Sequence, residues 1–138
     1  YLVDQGGKWS AQASNDYMAT ILPEYSEANG NMVELIICNN DGMAEGAVSA
    51  LQGAGYNTGD GKTIPVFGVD ATDSAKQLIN EGKMPGTIKQ DAEGMASTIL
   101  NLVSSVQGGG ELMDNTSSFN VDEGVAKIRV PYATYTGE

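Results

Sequence analysis

Histidine is absent from this 138-residue chain, which removes the commonest general base and the commonest metal ligand. There is one cysteine, Cys38, so no internal disulfide can form. It stands inside the apolar run Leu35–Cys38, where an inert, buried thiol is expected. Positive charge is scarce. Seven Lys and Arg against eighteen Asp and Glu give a net charge of −11, which repels phosphate backbones and anionic membrane surfaces. Nucleic acid is therefore not an expected partner, and the charge itself reads as solubility. No apolar run approaches the length needed to span a bilayer. No leader-like pattern precedes Tyr1-Leu-Val, which reads as strand, so a mature fragment or a truncated piece is expected. No G-x-S-x-G, no phosphate-binding glycine loop and no G-x-G-x-x-G after a strand occurs. Gly108-Gly-Gly110 follows a helical stretch and reads as a linker. No catalytic residues, no cofactor and no enzyme activity are expected.

What is present is a 41% apolar composition in a length that suits one domain with a real core. The most informative stretch is Leu35–Leu51, in which an apolar run ends in Asn39-Asn40-Asp41 and a helix-period pattern follows at once. That is a buried strand running into a helix N-terminus. In open α/β sheets, ligands sit at the carboxyl ends of the strands. The arrangement recurs at Ile64-Pro-Val-Phe-Gly-Val-Asp70. Two strand tips thus offer amide and carboxylate groups, which suits a hydroxyl-rich ligand.

Along the chain, strands are expected at Tyr1–Val3, Val33–Cys38, Ile64–Val69 and Gly86–Ile88. Helices are expected after the Ser10 cap as far as Pro23, from about Met43 to Leu51, from about Asp73 to Gly82, and from about Asp91 to Gln107. Phe119–Val121 and Ala126–Val130 read as two strands joined by Asp122-Glu-Gly124. Strands alternating with helices predict the α/β class: right-handed crossovers and a mainly parallel, doubly wound sheet with helices on both faces.

Each candidate site residue also has an ordinary structural use. One residue of Asn39–Asp41 is expected to cap the following helix and another to face ligand. Thr72 and Asp73 are better placed than Asp70 to cap the next helix, which leaves Asp70 as a carboxylate able to accept from two neighbouring hydroxyls. Trp9, in a glycine-rich loop, is either an ordinary aromatic or a flat plate for one face of a sugar ring. Gln90 ends the fourth strand, where it can donate and accept or simply be solvated. An acid/base pair of Asp41 and Asp70 is not favoured.

In order along the chain stand Ile37-Cys-Asn-Asn-Asp-Gly-Met-Ala-Glu-Gly-Ala-Val-Ser-Ala-Leu51, Ile64-Pro-Val-Phe-Gly-Val-Asp-Ala71, Gly86-Thr-Ile-Lys-Gln-Asp91 and Ile128-Arg-Val-Pro-Tyr132. Together they resemble the C-terminal part of the bacterial glucose/galactose-binding proteins. These are extracytoplasmic receptors of sugar ABC transport and chemotaxis, within the wider periplasmic sugar-binding and LacI-like family.

The resemblance implies a three-layer α/β/α type I periplasmic-binding-protein fold, incomplete relative to the family's two lobes. Residues 1–90 would be most of the C-terminal lobe, 91–127 a segment packing on the N-terminal lobe, and 128–138 a returning hinge strand. Asn40 would hydrogen-bond sugar hydroxyls, Asp70 would accept from a pair of them, and Trp9 would stack on the pyranose. Gln90 stands where the family shows Asn at an interlobe hinge, one methylene longer. Glu34 stands at a calcium-ligand position, but the loop supplying the other ligands is not in the chain, so no metal is expected.

The implied partners are a monosaccharide, a membrane ABC permease, and a missing N-terminal lobe or a swapped copy. The implied location is the periplasm or, as a lipoprotein, the cell surface. The opening strand of the lobe would lie between Tyr1–Val3 and Val33–Cys38, so its absence leaves edges exposed, and the apolar stripe of the 91–107 helix loses its partner. The rest of the protein as another segment, swapped elements or a rearranged strand order are the ways out. The alternatives are the effector domain of a LacI-like regulator, with a DNA-binding helix-turn-helix upstream, and an unrelated flavodoxin-like domain. The last requires Asn40 and Asp70 to lie at opposite edges.

Overall fold

In the computed structural model the described residues are 6–122, 124–125 and 127–137. The strand expected at Tyr1–Val3 lies outside them, as do Glu123 and Ala126 of the expected C-terminal hairpin. The chain divides into two compact units, Tyr1–Lys89 with Thr134–Glu138, and Gln90–Ala133.

The first unit contains α1 (Ala11–Ile21), a 3-10 turn (Glu27–Asn29), β1 (Ile36–Ile37), α2 (Asp41–Gly53), β2 (Val66–Val69), α3 (Asp73–Asn80) and β3 (Gly86–Lys89). The strands stand in the order β1-β2-β3, parallel throughout. A last short strand at Ala133–Tyr135 flanks β3. The helices start where local chemistry dictates. Ser10, Asn40 and Thr72 each accept a backbone N–H from the first turn of α1, α2 and α3. Pro23 follows α1, and Gly82 (φ 70°) takes the left-handed turn after α3.

One apolar core fills the space between the helices and the sheet. Ala44, Ala47, Val48 and Leu51 of α2, Ala75 and Ile79 of α3 and Val66 of β2 are buried together with Met18, Leu22 and Met84. Gly46 brings α2 against the start of α1, and the Asn15 amide donates to the Gly46 carbonyl at 3.2 Å. The polar loop before β2 is tied down by Asn57. Its amide nitrogen donates to the carbonyls of Ile64 and Lys83, and its oxygen accepts from the Ile64 N–H. A left-handed φ of 50° suits Asn there.

Two strands are shorter than expected. β2 begins at Val66 because Pro65 has no N–H for the ladder. β1 is reduced to two residues because it is paired on one side only. Ile36 and Cys38 donate to the Pro65 and Phe67 carbonyls of the β2 segment. No strand pairs with the other edge of β1 among the described residues.

That edge opens on a groove of about 820 Å³ between α1 and the segment Val33–Asn39, with Trp9 among its lining residues. The strand order is the regular one and not a rearrangement. Because β1→β2→β3 steps always in one direction, right-handed crossovers place α2 and α3 on one face. On the other face Ile37 and its register partner Phe67 are 75% and 39% exposed, so the second helical layer of the α/β/α expectation is not built by the described residues of this unit.

The second unit holds α4 (Ala92–Gln107) and the antiparallel pair β4 (Asn120–Asp122) and β5 (Lys127–Arg129). Asp91 caps α4, and Gly108 ends it. Of its residues only Thr98 is buried, while Ile99, Leu100, Val103 and Val106 are exposed. Leu102 is half-buried, and Leu112 of the same unit lines a shallow apolar hollow with Ile99, Val103 and Val106. No helix among the described residues is long and apolar enough to cross a membrane.

Candidate functional site

Parallel β1 and β2 bring their carboxyl ends side by side, so Asn40 and Asp70 stand at the same end of neighbouring strands. Strand spacing of about 4.8 Å puts two such tips within reach of one small ligand. They are not at opposite edges, which is the geometry the unrelated-domain alternative required. Gln90 follows directly on Lys89, the last residue of β3, and its carbonyl accepts the Ala92 N–H.

At the β1 tip one of the three polar residues caps α2, as expected. Asn40 is the cap: its side-chain oxygen accepts the Met43 N–H at 2.9 Å. That bond uses the oxygen and not the Nδ2 donor. Asp41 turns inward. It is fully buried. One of its oxygens accepts the Thr87 hydroxyl at 2.5 Å and the other accepts the Thr72 N–H at 2.8 Å. Asn39 is exposed.

Asp70 is exposed at the β2 tip, and its N–H donates to the Ile88 carbonyl at 2.8 Å. Its φ is 122° and that of Ala71 is 55°, two consecutive non-glycine residues in the region that favours glycine. Such backbone costs of order 1–3 kcal/mol per residue and persists where surrounding bonds over-determine it. Thr72, as expected, caps α3, and its hydroxyl also reaches Glu45.

Trp9 is 70% exposed in a left-handed turn with Lys8 (φ 58° and 51°). It shares the groove beside β1 with Cys38 and Asn39. Cys38 is half-buried and free. Burial pushes its thiol up from 9.0 to about 11, so it stays protonated and unreactive at neutral pH, in line with its expected inertness. At pH 8 it should react with iodoacetamide about a hundredfold more slowly than in the urea-unfolded chain, read by mass spectrometry. Because the thiol titrates higher when folded, its contribution to stability is complete below pH 9.0 and is lost as pH rises toward about 11.

No three His, Cys, Asp or Glu side chains gather as a metal site among the described residues. Sequence reasoning missed Thr87 and the inward turn of Asp41. Their pairing joins residues 46 positions apart, and no local pattern signals it.

A family model described as a periplasmic binding protein domain matches residues 2–111. The D-galactose/methyl-galactoside binding periplasmic protein MglB of Haemophilus influenzae is 33% identical over 126 residues, which are 91% of this chain and 34% of that protein. A solute binding protein of Bacillus halodurans C-125, solved with bound myo-inositol, is 27% identical with a TM-score of 0.68, over 94% of this chain and 38% of that one. One from Actinobacillus succinogenes 130z, solved with bound D-allose, has a TM-score of 0.72 at 22% identity, over 96% and 40%. These relatives are binding proteins, not enzymes. The chain spans about a third of the length of the curated relatives it matches.

Proposed function

The chain belongs to the periplasmic binding protein domain family, and from that premise we propose that it forms one wall of the cleft of an extracytoplasmic sugar receptor, with glucose or galactose as ligand. The observation that carries this reading is the placement of Asn40 and Asp70 at the carboxyl ends of adjacent parallel strands. The Asn40 Nδ2 donates to a sugar hydroxyl while its oxygen remains on the helix cap. The Asp70 carboxylate accepts from two neighbouring hydroxyls, and the exposed face of Trp9 covers the apolar side of the ring. Gln90 lies at the hinge. The likeness to the H. influenzae galactoside-binding protein supports the choice of hexose, and the periplasmic relatives favour a receptor over a DNA-binding regulator.

The open edge of β1, the groove beside it and the exposed apolar residues of α4 support a longer protein whose other segments cover them. That protein closes its two lobes over the sugar at the hinge and presents it to an ABC permease in the membrane. It is free in the periplasm or anchored through lipid.

Affinity in such a cleft needs both walls. Calorimetric titration with galactose and with glucose should therefore give no binding tighter than millimolar for the 138-residue chain and saturable heat for the longer protein. Micromolar binding by the monomeric chain alone would sink the one-wall reading. Absence of any hexose heat in the longer protein would sink the choice of ligand.

A further inference from the structure

Asp41 is completely buried, yet no helix cap requires it: Asn40 serves α2 and Thr72 serves α3. A buried carboxylate is costly unless its oxygens are bonded. Both are, and their two donors lie on the segments that bracket the candidate site. Thr87 belongs to β3, and Thr72 closes the turn that begins at Asp70. Gly68 makes the room, since a methyl group there would run into the Asp41 carboxylate.

The Asp70-Ala71 turn is thus fastened at both ends. Asp70 N–H holds to Ile88 in front, and Thr72 N–H holds to Asp41 behind. Between the two fastenings sit the two left-handed residues. A backbone that would rather relax is kept in place by them, and the side chain displayed from it is the Asp70 carboxylate.

We infer that Asp41 is a positioning residue: with Thr87 it clamps the strained Asp70-Ala71 turn and so aims the Asp70 carboxylate at the ligand. This rests on the sugar-binding reading of Asp70 given above. The clamp needs an acceptor for the Thr72 N–H and a hydrogen-bonding partner for the Thr87 hydroxyl, and not charge as such. In Asp41→Asn one orientation of the amide keeps an oxygen on the Thr72 N–H and lets its nitrogen donate to the Thr87 hydroxyl oxygen. Asp41→Ala removes both bonds, and Thr87→Val removes one.

The test uses the longer receptor, with galactose and glucose titrated calorimetrically and with the HN–Hα couplings of Asp70 and Ala71 measured by NMR. Asp41→Ala should weaken binding by about tenfold or more and move both couplings away from their left-handed values. Asp41→Asn should restore affinity to within about threefold of the original. Should Asp41→Ala not fold, Thr87→Val decides, with a loss of several-fold and a shift of the Asp70 coupling expected. Unchanged affinity in folded Asp41→Ala, or an Asp41→Asn as impaired as Asp41→Ala, overturns the inference. So does a Thr87→Val variant with unaltered affinity and couplings. A wild-type receptor that binds neither sugar refutes the sugar reading instead, while the couplings still report on the clamp.

Discussion

Replacing Asp70 by glycine in the longer receptor should abolish sugar binding while leaving the protein at least as stable. The two effects have different origins. In a closed, desolvated cleft each sugar hydroxyl that loses its acceptor is left unsatisfied, at about 1–3 kcal/mol. Two hydroxyls together amount to about 4 kcal/mol, a loss of roughly a thousandfold in affinity. The opposite sign comes from the backbone. Asp70 is exposed with φ 122°, a conformation that costs an ordinary residue and not glycine. Asp70→Gly should therefore raise unfolding stability by about 1 kcal/mol. Urea denaturation and calorimetric titration read the two quantities separately. A glycine variant that binds hexose with undiminished affinity would remove Asp70 from the site.

The second large effect is in the core and does not depend on any ligand. Gly46→Ala and Gly53→Ala are the same change in the same helix, and they should differ in sign. A methyl group at Gly46 would drive into the Ala11 carbonyl, because α1 starts directly against α2 there. The two helices must separate or tilt, at a cost of about 2–4 kcal/mol and with loss of the Asn15 bond to the Gly46 carbonyl. At Gly53 the added methyl meets nothing and φ is ordinary, so helix propensity governs and a gain of about 0.5–1 kcal/mol is expected. Chemical denaturation of the two variants side by side checks this. Equal effects would show that the α1–α2 contact is not the close one described.

How much of this could be read from the chain follows from the range of each interaction. Ser10 and Thr72 are legible as caps because the bond each side chain makes lies within three residues. The α/β alternation and the inward residues Ala47, Val48, Leu51, Ala75 and Ile79 follow from periodicity alone. The positions of Asn40 and Asp70 at strand tips were legible for the same reason.

The duties within Asn39-Asn40-Asp41 were not legible. Which residue caps and which turns inward is decided by Gly68, Thr72 and Thr87, which are distant along the chain. The brevity of β1 was also illegible, because strand length depends on partners on both sides and apolar content reports only burial. The left-handed Asp70-Ala71 turn carries no glycine to announce it. It is held by tertiary bonds against local preference, and strain of that kind gathers where a side chain must be displayed.

The most direct measurement is a galactose and glucose titration of the longer receptor, followed by the fluorescence that disappears in its Trp9→Phe variant. Isolated this way, the signal belongs to Trp9 alone. The expected result is a saturable, sugar-specific change whose midpoint matches the calorimetric dissociation constant, with no such change below millimolar sugar in the 138-residue chain. Sugar binding that saturates while the Trp9 signal stays flat would contradict the account, because the wall this chain supplies would then not be the one that meets the ligand.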